Sequence, residues 1–160
     1  MNKKLSHINE DGDATMVDVS GKKTSARMAT ASGRVIFPDD VYKELESNQF
    51  SNKKGSIFQI AIIAGIQAAK KTSELIPLCH HLALSKVNID VEPLPESHSL
   101  KIECTVKCND RTGVEMEALT AVTVSALTVY DMCKALSHDI GITEIQLEYK
   151  SGGKHDFNRK

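Results

Sequence analysis

Tryptophan is absent from this 160-residue chain, and aromatic residues make up only 4% of it. Stacking platforms for single-stranded nucleic acid are therefore poorly supplied. Surplus charge is missing too: 20 Lys and Arg stand against 21 Asp and Glu. Without a basic excess to displace counterions, duplex binding by bulk phosphate neutralisation is not expected. No apolar run reaches the ~20 residues that cross a bilayer, so no membrane association is expected. Met1–Glu10 has basic residues but no apolar stretch behind them. This reads as neither signal nor transit peptide and predicts a cytoplasmic protein.

Cysteine is sparse: Cys79, Cys104, Cys108 and Cys133. In a reducing cytosol disulfides are not expected. No Cys-x-x-Cys pair occurs. Cys104 and Cys108 lie in a strand-like segment, where four residues span about 13 Å. Thiolates so spaced cannot share one zinc with bonds of about 2.3 Å. Buried structural thiols are expected at Cys104, Cys108 and Cys133, and no metal site.

What is present is an ordinary globular mixture, 41% hydrophobic and 26% charged, of a length that suits one domain. Residues 1–33 read as a polar arm, residues 34–150 as the folded domain, and residues 151–160 as a Gly- and Lys-containing tail. Arg34–Phe37 is β-prone. A helix is expected to begin near Pro38, with acids in its first turn. Asn48–Gly55 reads as a polar loop. From Ser56 to Lys70 an almost uncharged helix is expected, with Ala and Gly65 admitting a close neighbour. An irregular loop from Ser73 to His81 follows. Lys86–Glu92 and Leu100–Cys108 alternate with period two, the mark of half-buried antiparallel strands. The prolines at 93 and 95 predict a turn between them. A long helix is expected from about Glu115 to Leu136, uncharged between Ala118 and Tyr130. A last alternating strand is Glu144–Lys150. Strand, helix, helix, strand, strand, helix, strand predicts an α+β fold. The expected form is a ferredoxin-like two-layer sandwich, an antiparallel sheet with helices on one face.

Several polar groups lack an obvious structural purpose. Glu115 and Glu117 either cap the long helix, whose positive end welcomes acids, or face a ligand. Asp131 and Lys134, three apart on one face, form either a solvated pair or a general acid/base couple. Lys53-Lys54-Gly55 is either a solvated loop or a phosphate site. Lys150-Ser-Gly-Gly-Lys154 sets flexible amides between two cations, although it is not a P-loop. His80, in a loop, could donate to a phosphate or shuttle a proton. Together these groups suit a small, highly anionic molecule. Glu117 and Asp131 are 14 residues apart, about 21 Å along one helix. Both can serve one small substrate only if two chains pair with their long helices antiparallel.

Five blocks have a familiar order: Ile63–Lys70, Leu75-Ile-Pro-Leu-Cys-His80, Thr112–Ala121, Tyr130-Asp-Met-Cys-Lys-Ala135 and Lys150–Lys154. They resemble the signatures of the molybdenum cofactor biosynthesis protein C family, the cyclic pyranopterin monophosphate synthases. His7-Ile-Asn and Met16–Ser20 are similar to its amino-terminal block. The resemblance implies an enzyme that takes 3′,8-cyclo-7,8-dihydro-GTP. It would form the pyranopterin with its cyclic phosphodiester and release pyrophosphate, as a phosphorus–oxygen lyase in molybdenum cofactor synthesis. It implies a homohexamer built as three dimers, with sites at the dimer interface. It implies catalytic roles for Asp131, Lys134 and Lys54. Leu78, Cys79, His80, Glu115, Met116 and Glu117 would contact substrate, and Arg27 and the Lys150 loop would hold phosphates. No cofactor is required; magnesium could assist, but no acidic cluster calls for it. His81, Ser56 and Ile62 replace the Pro, Asp and Arg common in the family. If those changes silence the chemistry, a nucleotide- or pterin-binding module of the same fold is the alternative.

Overall fold

A computed structural model describes residues 7–160; the first six residues of the polar arm lie outside it. The principal elements are β1 (Ser25–Ile36), α1 (Asp39–Ser47), α2 (Ile57–Lys70), β4 (Leu84–Leu94), β5 (Ser99–Asp110), α4 (Glu115–Cys133) and β6 (Gly141–Ser151). Between α1 and α2 runs a small hairpin, β2 (Ser51–Asn52) and β3 (Gly55–Ser56). A single turn, α3 (Thr72–Leu75), follows α2, and β7 (Phe157–Asn158) lies near the end. The main sheet runs β4-β5-β1-β6-β7, antiparallel throughout. Its four long strands and the helices between them make two interleaved βαβ units, the ferredoxin-like arrangement. Helices α2 and α4 pack together on one face of the sheet.

The alternation read in β5 is the floor of the core. Leu100, Ile102, Cys104 and Val106 are wholly buried, and Cys108 nearly so. Strand β1 departs from expectation: it begins at Ser25, so the sheet takes up residues 25–33, which composition assigned to the arm. These residues are small (Ala29, Ala31, Ser32, Gly33) and carry little β-propensity. Smallness is what the packing needs. A Cβ on Gly33 would stand 2.8 Å from Val122 Cγ1 on α4 and 2.5 Å from Ile145 Cδ1 on β6.

The α2–α4 contact follows the same rule. A Cβ on Gly65 would stand 2.9 Å from the Ala121 carbonyl oxygen, and closer still to Ser125 Oγ. Buried Ser125 donates to the Ala61 carbonyl at 2.9 Å, tying the two backbones together.

Other boundaries shift for identifiable reasons. Pro93 remains within β4, paired with Leu100, because β4 is an edge strand with only β5 beside it, where a missing N–H is tolerated. The turn is Pro95–Ser97, closed by His98 in the left-handed region (φ 43°). The loop expected at 48–55 contains the β2–β3 hairpin, and the loop at 73–81 opens with α3. Helix α4 ends at Cys133, three residues early. Part of the expected tail returns to the sheet: β7 pairs with Tyr149 and Lys150, and the Arg159 amide donates to the Glu148 carbonyl at 2.8 Å.

Candidate active site

The start of α4 forms one wall of a cavity of about 370 Å³. Glu115, Met116 and Glu117 line it from the helix, and Leu78, Cys79 and His80 from the loop after α3. The arm supplies His7, Val17, Val19 and Lys22. His80 Nε2–H donates to the Val17 carbonyl at 2.8 Å. That bond fixes the position of the proton on the ring whenever His80 is neutral. All six substrate-contact residues expected from the helix and loop therefore meet in one cavity.

Glu117 is 4% exposed. Burial, with the neighbouring charge of Glu115, pushes its carboxyl from 4.5 up to about 7. It can thus give or take a proton near neutrality. Cys79 is half-buried; burial, then the charge of Glu117, raises its thiol. Cys79 lines the cavity as a neutral group.

A second cleft of about 210 Å³ adjoins the first and shares Lys22, Thr112, Gly113 and Glu115 with it. Arg27, Arg111, Lys150, Lys154 and His155 complete its rim. Arg27 donates to the backbone carbonyls of Asp110 (Nε, 3.2 Å) and Arg111 (Nη2, 3.1 Å), which braces its guanidinium. Lys150 Nζ contacts Glu115 Oε1 at 2.9 Å. A Cβ on Gly113 would overlap the Glu115 carboxylate, so Gly113 allows that side chain its place. The cationic rim suits phosphate groups.

Asp131, Lys134 and Lys54 are not in this cavity. They line a separate cleft of about 520 Å³ at the other end of α4, with Lys53, Asn52 and Glu44. Lys134 Nζ lies 2.7 Å from Asp131 Oδ1. That bond, with the added charge of Lys54, holds Asp131 below the usual carboxylate range; the same bond and the Asp131 charge raise Lys134 above its own. Near neutrality the couple is a carboxylate and an ammonium. The helix is continuous between the two ends, so the separation derived from its length holds within one chain.

Lys22, Arg111, His155 and Asn52 escaped the sequence reading. Each lies in a polar stretch without periodicity, and only the folded chain places it at a cleft. The three departures from the family pattern each have a local setting. Ser56 caps α2, its Oγ accepting from the Gln59 amide at 3.4 Å, as an Asp would. The His81 ring shares a 3.2 Å hydrogen bond with Ser73 Oγ. Ile62 packs against the core as a half-buried apolar residue. Cys104, Cys108 and Cys133 are buried, and burial pushes their thiols to about 12, about 11 and about 11. Among the described residues no three His, Cys, Asp or Glu side chains gather as metal ligands. No helix of the described residues is long and apolar enough to cross a membrane.

Fold and clefts together define a ferredoxin-like α+β protein with room for a small, multiply charged anion. Kinship narrows the class. The MoaC family model matches residues 16–153, and the chain belongs to the MoaC family. It is 51% identical over 154 residues to a protein of Xanthomonas oryzae named cyclic pyranopterin monophosphate synthase, covering 96% of this chain and 93% of that one. It is 52% identical over 151 residues to the mitochondrial cyclic pyranopterin monophosphate synthase of Arabidopsis thaliana, covering 94% of this chain and 55% of that one. It is 50% identical over 156 residues to molybdenum cofactor biosynthesis protein 1 of Drosophila melanogaster, covering 98% of this chain but 27% of the longer relative.

Proposed function

We propose that this chain is a cyclic pyranopterin monophosphate synthase of molybdenum cofactor biosynthesis. Its substrate is 3′,8-cyclo-7,8-dihydro-GTP, and its products are cyclic pyranopterin monophosphate and pyrophosphate. The observation that carries this reading is the meeting of Glu117, Cys79 and His80 in a cavity beside the Arg27–Lys150 cleft. The reaction needs both halves. Rearranging the purine portion requires proton transfers at several atoms, which Glu117 and the Asp131–Lys134 couple serve. Closing the cyclic phosphate forms a bond from a ribose hydroxyl oxygen to the α-phosphorus. The bond from that phosphorus to the β-phosphate bridging oxygen breaks, the hydroxyl proton passes to a base, and pyrophosphate leaves. Arg27 and Lys150 neutralise the charge that builds up on the leaving group. The step is that of a phosphorus–oxygen lyase and calls for no cofactor.

The complete site is shared between two protomers, because Asp131 lies about 21 Å from Glu117 along α4 and Lys134 and Lys54 share its cleft. A partner with its α4 antiparallel brings its Asp131 end to this cavity. The uncharged middle of α4 supports such pairing. Leu127 on α4 and Ile63 on α2 are more than half exposed in one chain, and pairing would cover them. Three such dimers make the hexamer. A cytoplasmic setting belongs to the same proposal and rests on the four free cysteines, which a reducing compartment preserves.

The test is incubation of the protein with the cyclised GTP derivative, following pyrophosphate and pterin. Release of both is expected. Binding of the compound without pyrophosphate release would instead make the chain a silent pterin-binding module.

A further inference from the structure

The cleft at the far end of α4 has a feature that the Asp131–Lys134 couple does not explain. Lys54 sits at the tip of the β2–β3 hairpin, on a different element from Asp131 and Lys134. The backbone leading to this tip is costly. Gln49 and Phe50 both lie in the left-handed region, at φ 51° and 50°, which non-glycine residues seldom adopt. Phe50 anchors the base of the hairpin: it is buried and stacks on Phe58 at 4.9 Å. The tip itself, residues 52–54, is exposed. Among the described residues, one hydrogen bond joins the hairpin to the end of α4. Asn52 Nδ2–H donates to the Met132 carbonyl at 3.2 Å. The same carboxamide works in the other direction, since Asn52 Oδ1 accepts from the Lys54 amide at 2.8 Å.

Both bonds have a physical reason. The last turn of a helix leaves its carbonyls without intrahelical partners, and Met132 is one of these. An Asn side chain that accepts from the amide two residues on makes an Asx turn, and here that amide belongs to Lys54. One planar group therefore grips the Lys54 backbone with its oxygen and the α4 terminus with its nitrogen.

We propose that Asn52 is a positioning residue, holding the Lys54 hairpin at a set distance from the Asp131–Lys134 couple. The inference rests on the reading that these three charged groups act together in one site. Asn52 touches no reacting atom; it acts through Lys54. Asp131 is faced by Lys134 from its own helix, by Lys53 and Lys54 from the hairpin, and by Glu44 from α1. Withdrawal of the hairpin removes cations from this group and lets Asp131 take up its proton at higher pH.

The experiment compares Asn52→Ala with the unaltered protein and with Lys54→Ala. Carboxyl-13C-aspartate labelling follows Asp131, assigned by its loss in Asp131→Asn, and needs no turnover. In Asn52→Ala the Asp131 carboxylate is expected to titrate at higher pH, in the same direction as in Lys54→Ala. With the cyclised GTP derivative, kcat is expected to fall ~10-fold or more with little change in KM, since a misplacement of about 1 Å can cost ~100-fold. An Asn52→Ala protein that melts earlier but keeps both the Asp131 titration and kcat would overturn the proposal, because a merely structural role does just that. If the unaltered protein releases no pyrophosphate, the functional reading fails, and the titration alone still decides the role of Asn52.

Discussion

Glu117 and Asp131 are both carboxyls on α4, yet their surroundings drive them in opposite directions. Burial lifts Glu117 to about 7, whereas the Lys134 ammonium holds exposed Asp131 low. Folding therefore favours the protonated form of Glu117. Between about pH 4.5 and about pH 7 the unfolded carboxyl loses its proton while the folded one keeps it, so stability falls as pH rises. Taken at full size, the change from 4.5 to about 7 amounts to about 3 kcal/mol. Glu117→Gln cannot ionise and should lose this dependence. Urea unfolding at about pH 5 and about pH 8 checks it: the stability difference between the two should shrink in the variant, and an unchanged difference would count against the buried-acid assignment. Asp131→Asn and Lys134→Ala should each abolish pyrophosphate release while circular dichroism and thermal melting stay near those of the parent. Both side chains are about half exposed, so their loss leaves the core untouched. A near-normal rate in either variant would remove that residue from the chemistry.

Among the elements, α2 and α4 depend on how closely their backbones approach. Gly65 was legible as a close-approach residue from its Ala-rich surroundings, but its partner was not. The structure supplies Ala121 and Ser125. Gly65→Ala should destabilise the fold by roughly 1–3 kcal/mol through overpacking, although Ala is the better helix former. A lowered thermal midpoint is the expected reading. A raised one would mean that helix propensity outweighs the contact. Strand β5 was legible because its apolar residues alternate. Strand β1 was only partly so, because Ala29, Ala31 and Gly33 are chosen for size and carry no period-two signal. Small residues at a helix–sheet contact look, in sequence, like those of a mobile arm.

Across the whole molecule, the two ends of α4 belong to different clefts. If one site needs both, the defect in one subunit can be complemented by the other. Mixing Glu117→Ala chains with Asp131→Ala chains should restore part of the activity, since some mixed dimers then hold one undamaged site. Verified mixed dimers with no activity would refute a shared site, as would a fully active lone subunit.

The amino-acid order by itself determined the α+β architecture, the faces of β5, and an unbroken α4 from Glu115 through Asp131, hence the distance between those two charged positions. These are local and periodic properties, and periodicity needs no tertiary context. The signature blocks also named the groups at each end. Only the tertiary structure decided that Lys22 and Arg111 join Arg27 and Lys150 at one cleft, that Glu117 is buried in the cavity wall, and that Asn52 ties a hairpin to a helix terminus. Each of these depends on segments distant in the chain being brought together. Burial and hydrogen-bond partnership are properties of that arrangement, and no residue carries them alone.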